Sequence, residues 1–133
     1  IEWVNPFFTA GHWVPEMIEI SGGINMISKT GEHSQRMKMQ EIVNAKPEII
    51  ILMPCGFDVM RTKKEYEKFL KNDQEWNKLQ AVKKGNVFAV DANSFFSKPS
   101  IRAIEGIEIL AKIIHPEIFS DLSVVENAYM KLN

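Results

Sequence analysis

The densest apolar stretch of the chain spans residues 49–53, where Ile49, Ile50, Ile51, Leu52 and Met53 follow one another without a polar position and stop at Pro54-Cys55-Gly56, with Phe57 just beyond. A run without polar–apolar alternation predicts a strand covered on both faces, as in a parallel sheet held between helices. Ligands of such sheets lie beyond the carboxyl ends of the strands, so residues 54–57 are the first place to look for function.

Strand-like and helix-like segments alternate along the rest of the chain. The pattern predicts an α/β three-layer sandwich with a mainly parallel central sheet flanked by helices. Strands are predicted over 1–4, 24–27, 49–53 and 87–90, and helices over 14–20, 39–45, 62–72 and 101–114. Pro15 suits the first turn of the first helix and Gly22-Gly23 its stop, while Lys46-Pro47 ends the second. In the third, Tyr66, Phe69 and Leu70 share a face; in the fourth, Ile104, Ile107, Leu110, Ala111 and Ile114 form the expected buried stripe, opposite Glu105, Glu108 and Lys112. Residues 28–36 and 91–100 read as loops. Beyond Phe119 the tail 120–133 has a weak amphipathic pattern over 122–132 that predicts a terminal helix.

At 133 residues with 45% apolar content, the chain suits one domain with an ordinary core. Sixteen basic against seventeen acidic residues leave a net charge of -1, and the only basic concentration is Arg61 to Lys64. Nucleic acid and anionic membranes demand a concentrated positive field, which this balance does not supply. One cysteine excludes an internal disulfide and a multi-thiolate metal site. With a strand already at residue 1 and no initiator Met, the chain reads as a piece of a longer protein whose targeting segment lies upstream.

Candidate chemistry sits in three loops. The first, 5–13, carries Phe7, Phe8, His12 and Trp13. Packing against the sheet accounts for any one of these aromatics; together they also suit a flat apolar wall for a large ligand, with His12 and the amides at the helix start as polar points. The second holds Cys55, whose nucleophilic use would require a base such as His12, and whose plainer role is a small residue in a tight turn. The third carries Phe95 and Phe96, of which an extended chain would aim only one at a cleft. Arg102, badly placed for the macrodipole of the helix it opens, points to a pairing with a loop carbonyl or a carboxylate.

These segments, in order, resemble the carboxyl-terminal lobe of ABC-transporter substrate-binding proteins of the cobalamin and iron-siderophore type. The likeness rests on IEWVNPFFTAGHW at the start, PEMIEISGG from Pro15, IVNAKPEIIILMPCGF from Ile42, LQAVKKGNVFAVDANSFFSKPS from Leu79 and EGIEILAKIIHPEIF from Glu105. Its MPCGF and TAGHW elements are closest to the cobalamin-binding branch. The resemblance implies an extracytoplasmic, membrane-anchored protein of two α/β lobes joined by a long helix, with a corrinoid or related chelate held between them and no enzymatic step. The amino-terminal lobe and the linking helix would precede Ile1. Carried over by position, the ligand-facing residues are Phe8, His12, Trp13, Ser34, Pro54, Cys55, Gly56, Phe57, Phe95 and Phe96, with no metal or covalent cofactor.

Members of that family dock on an ABC permease through an acidic residue of each lobe. Here Gln40 takes that position and Glu41 follows it, about 100° further round the helix. Ferric-siderophore or haem binding on the same fold, and a small α/β enzyme using Cys55 and His12, are the alternative readings.

Overall fold

The computed structural model describes residues 1–132. In chain order the elements are β1 (Trp3–Val4), β2 (Phe7–Phe8), α1 (Val14–Ile20), β3 (Arg36–Met37), α2 (Met39–Ala45), β4 (Ile50–Leu52), α3 (Val59–Phe69), a 3-10 turn (Trp76–Lys78), α4 (Gln80–Lys83), β5 (Val87–Val90), α5 (Ala92–Phe95), α6 (Ala103–Ile114) and β6 (Tyr129–Leu132).

The central strands behave as their uninterrupted apolar pattern requires. Ile50 and Leu52 of β4, with Val87 and Ala89 of β5, face a core completed by Val59 and Tyr66 of α3 and by Trp76 and Ala81. Their alternate neighbours Ile49, Ile51, Phe88 and Val90 face a second core built with Val14 and Met17 of α1 and with Ile109, Leu110 and Ile113 of α6. The sheet therefore lies between two helical layers, and the chain has the α/β lobe architecture. Leu52, Val90, Ile109 and Leu110 have no exposed surface at all; at about 25 cal/mol per Å² of buried apolar area such residues dominate the driving force.

Strand direction is more mixed than the pattern predicts. β4 and β5 run parallel, with Ile51 opposite Phe88, but β6 joins β5 antiparallel, with Val90 opposite Tyr129. The residues 129–132 thus form a strand where the amphipathic tail predicts a helix. The Val90 edge of β5 offers a ladder of unpaired backbone groups, and pairing with it outweighs a weak helical periodicity. The last position of the expected tail, Asn133, lies outside the described residues.

The predicted first strand is split between two partners. Ile1 donates to Ile51 O at 2.8 Å and its carbonyl accepts from Met53 N at 2.9 Å, the pattern of a parallel neighbour to β4. Trp3 and Val4 then leave that sheet and pair with Phe8 and Phe7 in a small antiparallel sheet that β3 completes. Residues 24–27 form no strand: Ile24 is 84% and Met26 66% exposed, and the Asn25 carboxamide accepts from Ile27 N, the local bond by which Asn competes with extended structure.

Helix limits follow their caps. Asp58 Oδ1 accepts from Arg61 N at 2.7 Å, which starts α3 at Val59 instead of 62. Gly22 and Gly23 donate to Glu19 O and Ile18 O past the end of α1; Gly22 has φ +82°, a conformation strained for any residue with a Cβ. In α6 the buried line is Gly106, Ile109, Leu110, Ala111 and Ile113. Ile104, expected in it, is 56% exposed, because α6 begins at Ala103 and rolls its stripe toward Ile109.

Candidate functional site

The carboxyl ends of β4 and β5 open into a cleft of about 150 Å³ lined by Glu2, Gly11, His12, Trp13, Val14, Met53, Cys55, Phe96 and Ser97. All three predicted loops reach it. Trp13 spans it from the start of α1, and its indole Nε1 donates to Phe96 O at 3.0 Å. Gly56 N donates to Ser97 Oγ at 2.9 Å, which ties the turn after β4 to the loop after β5.

His12 stands exposed at the mouth with φ +58°. The conformation is held from both sides, since its N donates to Glu32 O at 2.6 Å and its carbonyl accepts from Gly31 N at 2.8 Å. Its ring meets Trp13 at 5.5 Å and His33 edge-on at 5.0 Å between centroids.

Other expected residues are placed differently. Phe8 lies in β2, half-buried, paired with Trp3 and Arg36 rather than in an open loop. Phe95 and Phe96 sit on a helical turn, not an extended segment, because Asp91 Oδ1 caps α5 through Ser94 N. Both rings consequently pack in the second core, Phe95 under the Arg102 guanidinium, 4.4 Å from its ring centroid, and Phe96, only 3% exposed, at the floor of the cleft. Arg102 does find a carboxylate, that of Glu105 on its own helix at 3.4 Å. Pro54 and Phe57 are buried beneath the turn, whereas Cys55 and Gly56 are exposed on it.

Glu2 is the cleft residue that the pattern of the chain does not flag. Its Oε2 accepts from Ser34 Oγ at 2.7 Å and from Gly11 N at 3.3 Å, so Ser34 reaches the site by anchoring this carboxylate. One polar position between Ile1 and Trp3 is its only trace in the sequence. The carboxylate also changes the expected electrostatics. The amides at the start of α1 are not open to an anion: Val14 N is bonded to Gly11 O, Pro15 has no N–H, and the fixed charge beside them is negative.

Cys55 Sγ and His12 share the cleft without a hydrogen bond between them among the described residues, and no group of three or more potential metal ligands occurs among those residues. On α2, Glu41 Oε2 accepts from Lys38 N at 2.7 Å as a helix cap, and Gln40 Nε2 donates to Asn44 Oδ1. A larger groove of about 580 Å³ runs along β4 from Pro47 to Met53, walled by Ile18, Ile24, Ile49, Ile51 and Ile114. None of the predicted aromatic loop residues reaches it.

The family described as periplasmic binding protein matches residues 4–94. Among curated proteins, the high-affinity heme uptake system protein IsdE of Staphylococcus aureus strain MRSA252 is 25% identical over 83 residues, 62% of this chain and 28% of the relative. Among solved structures, the TroA-like periplasmic binding protein FepB of Veillonella parvula superposes with a TM-score of 0.72 at 17% identity, over 92% of this chain and 42% of its own. An ABC transporter substrate-binding protein of Listeria monocytogenes EGD-e reaches a TM-score of 0.65 at 25% identity, over 75% and 38%. The chain thus spans well under half the length of each of these proteins, and they are solute-binding proteins rather than enzymes.

Proposed function

Because the chain belongs to the periplasmic binding protein family, we propose that it is the carboxyl-terminal lobe of the substrate-binding component of an ABC importer, working outside the cytoplasm. Its ligand is a bulky chelate: a corrinoid such as cobalamin, or haem or a ferric siderophore. The observation that carries this reading is the cleft itself. It is aromatic, sits at the carboxyl edge of the parallel strands, and at about 150 Å³ falls below the roughly 300–1,000 Å³ of a complete small-molecule site. A second wall is needed, and the missing length relative to the relatives is enough to supply one.

Binding in such a half-site is by shape and dispersion. Trp13 offers a face to a flat ligand, and its bond to the Phe96 carbonyl holds the indole at a fixed angle over the buried Phe96 ring. Glu2, His12 and Ser97 supply the few polar contacts. The exposed first turn of α2, where Gln40 is bonded to Asn44 and Glu41 serves as a cap, is the face that meets the permease.

The test is to titrate the full-length protein with cobalamin, haem and several ferric siderophores by absorbance and calorimetry. Saturable binding of one of them is expected, with far weaker binding to residues 1–133 alone. Equal affinity of the isolated lobe would refute the two-walled site.

A further inference from the structure

β4 has a full partner on one edge only. Ile50 N donates to Asn86 O at 2.9 Å, and in a parallel ladder this turns both backbone groups of Ile50 and Leu52 toward β5 and those of Ile49 and Ile51 to the other side. There Ile1 answers them in part: its N donates to Ile51 O at 2.8 Å and its carbonyl accepts from Met53 N at 2.9 Å. The Ile51 N–H and the Ile49 carbonyl have no backbone partner among the described residues, and both residues line the groove of about 580 Å³ along this edge.

The groove is apolar on two sides. Ile18 and Ile114 border it from the second core, Ile42 from the first, and Ile24 lines it while largely exposed. An open strand edge set between apolar walls is a template for one more strand. Its occupant must be extended, to reach the edge amides, and apolar on both faces. The direction of Ile1 identifies it. The two bonds place Ile1 opposite Leu52 in parallel register, and its side chain packs against the same first core as Leu52. A chain that reaches Ile1 in this register comes along the groove, its last three residues opposite Ile49, Ile50 and Ile51 in turn.

We propose that the three residues leading into Ile1 are a further strand of the central sheet, parallel to β4, and that they fill this groove. The inference rests on the reading of the chain as one lobe of a longer protein, and the chain spans well under half the length of the proteins it matches. The outer two of these residues share the face of Ile49 and Ile51, toward Ile18 and Ile114, and the middle one that of Ile50, toward Ile42. All three are therefore apolar, a run like that of β4 itself. The site suits an uncharged peptide N–H better than a charged amine, since burial lowers the Ile1 amine to about 5. The same strand continues into Glu2, so its pairing fixes the wall from which that carboxylate enters the cleft.

The test is site-resolved hydrogen exchange on the full-length protein. The Ile51 amide is expected to exchange at least about a hundredfold more slowly than an unpaired amide, in the range of the Leu52 amide. Free exchange at Ile51 overturns the proposal. Proline at the second position before Ile1, whose N–H would donate to Ile49 O, should speed exchange at Ile51 at least about tenfold and leave Leu52, bonded to β5, as it was. Unchanged protection of Ile51 in that variant means that another segment covers the edge, and protection that fades on dilution means that a second copy does; either overturns the proposal. The chelate titration reads ligand binding separately, so these failures leave the transport reading standing, whereas a protected Ile51 in a protein that binds no chelate removes the transport reading alone.

Discussion

Replacing Gly11 by Ala probes the contact that shapes the cleft. Gly11 is buried where loop 9–13 crosses loop 32–35, and an added Cβ would lie 2.6 Å from Glu32 O, 2.6 Å from Ser34 N and 2.8 Å from the His33 carbonyl carbon. All three are backbone atoms, so no side chain can swing away. To restore ordinary contact the loops must part by about 0.8 Å, in the range where overpacking costs about 1–3 kcal/mol. Parting them stretches the bonds His12 N to Glu32 O and Thr9 N to Gln35 O, each worth about 1 kcal/mol. The expected total is about 3 kcal/mol. With a urea slope of about 2 kcal/mol/M this lowers the midpoint by about 1.5 M at unchanged slope, as followed by far-UV circular dichroism. Gly56→Ala is the control: nothing lies within 4 Å of its added Cβ, and only its φ of +76° opposes the change, for about 1–2 kcal/mol. A Gly11→Ala midpoint no lower than that of Gly56→Ala would refute the reasoning, because the loops would then be sliding apart freely.

Further expectations concern charge, core and thiol. Burial lowers the amine of Ile1 to about 5 from 8.0; the folded state therefore disfavours the proton that the unfolded chain keeps up to about pH 8, and stability of the 133-residue chain rises from pH 5 to pH 8. Acetylating that amine should flatten the profile, and an unchanged slope would assign it to other groups. Glu2→Gln keeps an oxygen to accept from Ser34 and Gly11 and should shift stability by less than about 1 kcal/mol, whereas Glu2→Leu orphans both donors and should cost about 2 kcal/mol in the same melts. Phe95→Ala, which empties a site only 2% exposed, should cost about 3–5 kcal/mol in urea melts. Cys55, exposed and without a bonded base, should react with iodoacetamide no faster than glutathione; a much faster rate would revive the enzyme reading.

Where a local pattern and the tertiary environment agree, the sequence was sufficient. The unbroken run 49–53 implies burial on two faces, and that alone places a strand at the centre, with a cleft at its carboxyl end. The turns at Pro54 and Gly22 and the span of α2 were likewise written locally, in residues with few backbone choices. That His12, Trp13, Cys55 and Phe96 come together was legible because aromatic and reactive side chains gathered in loops after strands are costly to leave in water unless they pack or bind something, and the four line one cleft.

What needed the fold was every decision about partners. The tail 129–132 became a strand because β5 had an open edge, whereas 24–27 stayed irregular and exposed, with Asn25 bonded to Ile27 N. Phe95 and Phe96, which an extended chain would aim in opposite directions, both turned into the second core through the Asp91 cap. Glu2 entered the site only once Ser34 and Gly11, distant in sequence, were folded against it. Periodicity and turn chemistry are carried by adjacent residues, so the sequence states them; pairing and the direction of a side chain depend on groups many residues away, which only the tertiary structure brings within reach.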